Sequence, residues 1–266
     1  MAGAQRSAAR ADTPRRVLHL FSGPKERPDG LAAALAPLGF TTTELDSGGQ
    51  RSHVDNLLDD ARYAELLASA KSATWDVVVA GIPCSTFSVA RFHRPGPPLV
   101  RRLPTEGRGL LVPPLHHEHE AEEANILAAR AAAICAAVQA SGGVYLVENP
   151  IDLSDVVQAR KYGLRQQPRH ASLWQLSEMR ELQARTQGHF IHFPQCALGG
   201  ARPKWTTFLC SPALAAHLEG LGELRCSHSK VEHRRPVRRE AVGLRGQRRL
   251  RDSLCGDLIG WRVPSL

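Results

Sequence analysis

Short continuous apolar runs alternate with helix-like stretches through the first 150 residues. RVLHLF (16–21) is apolar enough for a buried strand, FSGPKERPDG supplies a turn, and LAAALAPLG reads as a helix entered beside Pro28 and Asp29 and stopped near Gly39. TTTELD (41–46) is β-branched and ends in acids, which predicts a second strand, and DNLLDDARYAELLASAKS becomes helix-like after Asp55. WDVVVAGI (75–82) has the unbroken apolar character of a central parallel strand and ends at Pro83. Helix returns at EEANILAARAAAICAAVQAS, closed by Gly142 and Gly143, and VYLVE (144–148) is the next strand. Strand, helix, strand, helix, strand in this order predicts a doubly wound, mostly parallel α/β sheet with its ligands at the carboxyl ends of the strands. Beyond it, HFIHFP (189–194) and WTTFLCS (205–211) pair as strands around the Gly-rich turn ALGGARPK, a hairpin on the C-terminal side, and SLCGDLIGW reads as a short closing helix.

Two segments break the rhythm. Residues 1–15 are Ala/Arg-rich without apolar periodicity and read as a flexible arm, with an organelle transit peptide as the alternative. Residues 91–120 hold six prolines, five arginines and the patch HHEHE, which predicts a long loop over the surface. The catalytic unit therefore spans 16–210, with 91–120 as a loop beside its site and 211–266 as a basic C-terminal segment.

A chain of 266 residues, 42% apolar and 23% charged, can bury a full core. No run approaches the ~18 apolar residues of a membrane span, so a soluble protein is expected. The six cysteines form no C-x-x-C pair and no secretory leader is evident, which favours a reducing compartment, nucleus or cytoplasm, over a disulfide framework. The net charge of +8 changes the picture because of where it lies. Between Arg225 and Arg251 ten Lys/Arg face only Glu232 and Glu240, a surplus equal to that of the whole chain. A segment carrying the entire imbalance is a footprint for a polyanion, nucleic acid first.

Three loops fall at strand carboxyl ends. Phe21-Ser22-Gly23-Pro24 follows the first strand, and its glycine lets a ligand approach backbone and helix end. Glu44 and Asp46 end the second strand, where such a fold sets an acid against ribose hydroxyls. Pro83-Cys84-Ser85-Thr86-Phe87-Ser88 places a cysteine directly behind a buried strand, in a partly exposed loop where a thiol can become a nucleophilic thiolate. Cys135, inside an Ala-rich helix, reads as an inert core residue. Glu148-Asn149-Pro150 leaves the strand VYLVE, and a glutamate entering a cleft there is partly desolvated and can hold a proton near neutrality.

Taken in order, these motifs resemble those of the cytosine carbon-5 methyltransferases, in particular divergent phage-like or retroelement-like members. His19-Leu20-Phe21-Ser22-Gly23 is similar to the family's Asp-Leu-Phe-x-Gly, Pro83-Cys84-Ser85-Thr86-Phe87-Ser88 to its Pro-Cys-Gln-x-Phe-Ser, and Glu148-Asn149-Pro150 to its Glu-Asn-Val. QCALGGARPKWTTF (195–208) resembles the Gln-rich, Lys/Arg-Pro-Thr variant of a later strand motif. The resemblance implies a Rossmann-like class I fold that uses S-adenosylmethionine. It further implies that Cys84 adds to carbon 6 of a flipped cytosine, that Glu148 protonates ring nitrogen 3, and that Asn149 holds the amino group and surrounding loop. Phe21, Ser22, Gly23, Glu44, Asp46, Asp55 and Pro83 would then line the cofactor, with Asp55 near the adenine. Ser88, Arg91, Arg94, Arg202 and Lys204 would contact nucleic acid, together with Arg101 and Arg102. DNA is the expected partner and a monomer the expected state; RNA remains open as substrate, as does a catalytically silent nucleic-acid-binding module.

Departures from the family pattern are specific. His19 replaces an acid, Ser85 a glutamine and Pro150 a valine, and Gln195 is followed by Cys196, Ala197 and Leu198 in place of Gln-x-Arg-x-Arg, so that Arg202 or Lys204 would have to supply the missing charge. About 55 residues follow the last strand, too few for a full target-recognition domain. Cys226-x-His228 with His233, and Cys196 or Cys210, match no strong zinc spacing, and HHEHE reads as a solvated loop, so no metal is assigned from sequence.

Overall fold

The computed structural model describes residues 14–46, 55–92, 100–101, 115–200 and 204–228. Arg94, Arg102, Arg202, His233, the cations beyond 228 and SLCGDLIGW lie outside them. Six strands form one sheet: β1 (Arg15–Leu20), β2 (Phe40–Leu45), β3 (Val77–Gly81), β4 (Val144–Pro150), β5 (His189–Pro194) and β6 (Trp205–Cys210), in the order β2-β1-β3-β4-β6-β5. The ladders β1–β2, β1–β3 and β3–β4 are parallel, while β6 runs antiparallel to both β4 and β5. This is the expected α/β, doubly wound, Rossmann-like sheet with a hairpin on its C-terminal side.

Why the strands read as continuous apolar runs is visible in the core. Leu18, Leu20, Val78, Ala80, Tyr145, Val147 and Leu209 join one buried cluster, with α2 (Asp60–Lys71), α3 (Leu115–Ala140) and α5 (Ser177–Thr186) packed on it. Their strand neighbours Val17, Val77, Val144, Leu146, Phe208 and Cys210 join a second cluster with α1 (Leu31–Leu35) and α6 (Pro212–Gly222). Successive side chains point to opposite faces, so a sheet covered on both sides needs apolar residues at every position. A short helix, α4 (Val156–Lys161), follows β4.

Boundaries differ from the sequence expectation where a cap decides them. The second helix starts at Asp60, five residues after Asp55, because the Asp59 side chain accepts the Arg62 amide at 2.7 Å. The third begins at Leu115, so HHEHE belongs to its first turns and not to a loop; Glu118 there suits the positive end of the helix. The fold also continues past 210, because Ser211-Pro212 opens α6, whose Leu214, Ala215, Leu218 and Leu221 are buried. No helix among the described residues is long and apolar enough to cross a membrane.

Two strand histidines are held neutral by the packing. Burial lowers His19 to about 4, and burial with nearby Lys161 lowers His192 to about 4. The unfolded chain takes up these protons first as pH falls through 6.5, so the stability they permit is complete above that value and is lost towards 4. The expected loss is about 2 kcal/mol apiece by pH 5. Urea midpoints measured from pH 7 to 5 should fall accordingly, with a shallower slope in His192→Gln; an unchanged slope in that variant would remove His192 from the account.

Candidate active site

Chain order reverses between β1 and β3, which opens a crevice at their carboxyl ends. On the β1 side the backbone turns sharply: Phe21 has φ 59° and Gly23 φ 72°, left-handed conformations that are costly for the phenylalanine and free for the glycine. The Ser22 amide donates to the Leu45 carbonyl at 3.1 Å, which ties this turn to the end of β2. Among the described residues a Cβ on Gly23 would meet only the tip of Arg27, at 3.9 Å, which leaves space over the loop backbone.

Two of the expected acids brace that loop. Glu44, paired with His19 in the β1–β2 register, accepts the Glu26 amide at 3.1 Å, and its other oxygen lies 3.9 Å from His19 Nδ1, a buried atom with no hydrogen-bond partner. Asp55 is buried and ion-paired with Lys25. Asp46 lies one residue beyond β2 and is half-buried.

The candidate thiol and carboxylate sit on the β3 and β4 side. Gly81 pairs with Glu148, so the loop Ile82-Pro83-Cys84 leaves β3 beside Glu148-Asn149-Pro150, which continue β4 against β6. Cys84 is half-buried. Burial pushes its thiol up from the ordinary range, the Lys204 ammonium pulls it back, and the Glu148 carboxylate raises it further. Lys204 Nζ lies 3.2 Å from Glu148 Oε1. The turn between β5 and β6 thus brings the Lys204 ammonium against the Glu148 carboxylate.

Asn149 points away from Glu148 by strand alternation and is 1% exposed. Its Nδ2 donates to the Ile82 carbonyl at 2.8 Å, while Oδ1 is buried without a partner among the described residues. That bond ties β4 to the loop leading into Cys84.

Holding the Cys84 loop is a theme that sequence reasoning missed. Arg91 Nε donates to the Ser85 carbonyl at 2.5 Å and its Nη2 pairs with Glu120, leaving the side chain 7% exposed. Arg101, expected on the surface against phosphate, is 2% exposed and lies with its guanidinium 4.1 Å from the centre of the Phe87 ring. It donates to Thr86 Oγ1 at 3.0 Å, Asn125 Oδ1 at 2.7 Å and the Ala121 carbonyl at 2.7 Å. His170 Nδ1 accepts the Leu153 amide at 3.0 Å, which leaves Nε2 to donate to the Phe87 carbonyl at 2.7 Å. Ser88 caps the turn that follows, accepting the Ala90 amide at 3.2 Å. No motif marks Arg101 or His170; their roles depend on residues far away in the chain.

No family model matches the chain, and no curated protein does. Among solved structures it is similar to a prophage-encoded protein of E. coli described as a DNA modification methyltransferase, at 15% identity and a TM-score of 0.38. The likeness covers 74% of this chain and 46% of the other, so the chain spans less than half of that protein's length.

Proposed function

We propose that this protein transfers a methyl group from S-adenosylmethionine to carbon 5 of cytosine in DNA, through a covalent bond between Cys84 and the ring. The observation that carries the proposal is the arrangement at the ends of β3 and β4: a half-buried thiol within the fields of both Glu148 and Lys204, beside an open turn after β1. A silent binding module has no use for a thiol and a carboxylate so placed.

Carbon 5 of cytosine is too weak a nucleophile to attack a methyl donor unaided. Addition of the Cys84 thiolate to carbon 6, with Glu148 giving a proton to nitrogen 3, moves an electron pair onto carbon 5. After carbon 5 is methylated, loss of its proton to a base or water lets the Cys84 sulfur leave with the pair it brought, and nitrogen 3 returns its proton. The electrostatics favour this division of labour. Burial is the main reason the Cys84 thiol is raised and the Glu148 carboxylate adds to it, so the proton that prepares Glu148 as an acid also removes that second cause. Lys204 favours the thiolate in either state.

S-adenosylmethionine, when bound, supplies a methyl group on a positively charged sulfur. The residues fit such a molecule: the space over Gly23 admits it to the backbone, and Phe21, Ser22 and Pro83 would line it. Glu44, Asp46 and Asp55 offer carboxylates for its ribose, adenine or amine. Duplex DNA would have to surrender the base from its stack, and Lys204, at 43% exposure, would meet the strand.

The test is trapping. Full-length protein with cofactor and a 5-fluorocytosine oligonucleotide, offered in parallel as DNA and RNA, is expected to form an adduct on DNA that maps to Cys84, because fluorine blocks the proton loss needed for release. An adduct on RNA alone moves the substrate to RNA. Folded protein that binds nucleic acid but forms no adduct with either would leave the binding module.

A further inference from the structure

One cluster of donors lies outside this site. Cys196 sits in the single 3₁₀ turn, Gln195–Leu198, that leaves β5, and is 2% exposed. Cys226 and His228 lie just past α6, and Arg225 fixes that exit by donating to the Gly222 and Leu224 carbonyls at 2.8 and 2.9 Å. The fold brings these segments together although thirty residues separate the two cysteines: Cys196 Sγ, Cys226 Sγ and a His228 ring nitrogen all lie within 4.8 Å of one another. The Cys226 Sγ to His228 Nδ1 distance is 3.9 Å. Cys210, which the sequence offers equally, is elsewhere, with its sulfur 3.7 Å from the His189 carbonyl.

We propose that Cys196, Cys226 and His228 bind a zinc ion. Tetrahedral zinc, with Zn–S near ~2.3 Å and Zn–N near ~2.0 Å, sets its ligand atoms roughly 3.5–3.8 Å apart, so the observed spread requires only a small contraction. Two thiolates and an imidazole are soft to borderline donors, which select zinc over calcium or magnesium. The three side chains leave a fourth position for water or another donor. The position of the cluster gives the ion a structural task. The Gln195 amide donates to the Lys204 carbonyl at 2.9 Å, so the turn holding Cys196 is bonded to the residue that carries the ammonium facing Glu148. Zinc would staple the chain leading into the ten-cation segment onto the turn beside Lys204. This inference stands on the cluster alone and is independent of the reaction proposed for Cys84.

Full-length Cys84→Ser protein, so that this half-buried thiol takes no metal, is reconstituted with zinc under reducing conditions and desalted. One zinc per chain is expected by elemental analysis. Cys226→Ser and His228→Asn should each lower occupancy roughly tenfold or more at limiting metal, whereas Cys210→Ser keeps it. Cobalt substitution should give thiolate-to-metal charge-transfer absorption that Cys226→Ser weakens. Because Cys226 and His228 follow α6, the last helix among the described residues, those variants should retain the α/β circular dichroism and remain informative if Cys196→Ser fails to fold. Folded protein that takes up less than about a tenth of an equivalent, unchanged occupancy in both variants, or a Cys196–Cys226 disulfide under the same conditions would overturn the proposal.

Discussion

Glu148→Gln is expected to lower methyl transfer by roughly 10²- to 10⁴-fold, the usual contribution of a positioned general acid, while making Cys84 react faster with iodoacetamide at a given pH. The two effects run in opposite directions because Glu148 does two things. It would give the proton that turns the ring into an acceptor for sulfur, and as an anion it raises the Cys84 thiol by like-charge repulsion. Glutamine keeps the shape, removes the acid and removes the repulsion. Lys204→Met should shift the thiol in the other sense, so its alkylation profile moves to higher pH, with the Glu148 carboxylate also losing its 3.2 Å partner. Alkylation rates followed against pH in a Cys84-only variant read both shifts without any substrate. Coincident profiles for wild type and the two variants would mean that these groups do not share a site, and the covalent mechanism would fall with them.

How much of this was legible in the chain follows from how local each signal is. β1, β3 and β4 announce themselves because a strand buried on both faces must be apolar at every position, and Val77–Gly81 is nothing else. The motifs around Cys84 and Glu148 were readable for the same reason: each is a few consecutive residues at a strand end, and the parallel register that joins them follows from the fold class. α5 went unread because its sequence, SEMRELQART, is mostly polar and only Met179, Leu182 and Thr186 turn inward. α6 was absorbed into the basic tail although Ser211-Pro212 and the spacing of Leu214, Leu218 and Leu221 mark a helix. The sequence offers Cys196 and Cys210 equally beside Cys226 and His228, and the packing of Arg101 on Phe87 has no local mark at all, since nothing local distinguishes a buried partner from a solvated one. Arginine in a Pro/Arg stretch invites a phosphate reading, and the Phe87 face is what overturns it.

Arg101→Met makes that difference measurable. Methionine keeps the apolar stem and the contact with Phe87 but removes every donor, so Thr86 Oγ1 and the Ala121 carbonyl, both buried, and the half-buried Asn125 Oδ1 lose bonds of 3.0, 2.7 and 2.7 Å. Losing the guanidinium at the two buried acceptors costs about 1–3 kcal/mol each, partly offset because the burial of a charge is relieved, and the net loss should be about 3 kcal/mol. Against the 5–15 kcal/mol typical of a folded domain, the variant should still fold at low temperature. Thr86 and Phe87 lie two and three residues from Cys84, so a loosened loop should also lower transfer by roughly 10²-fold, the effect of misplacing a reacting atom by about 1 Å. Arg101→Lys restores the charge without the planar fork and should recover little of either loss. A phosphate contact predicts the reverse pattern: unchanged denaturant midpoint, weaker DNA binding and a smaller dependence of affinity on salt. Denaturation and salt-dependent binding of the same purified variant decide between the two, and a stable Arg101→Met protein with a flattened salt slope would return this arginine to the nucleic-acid surface.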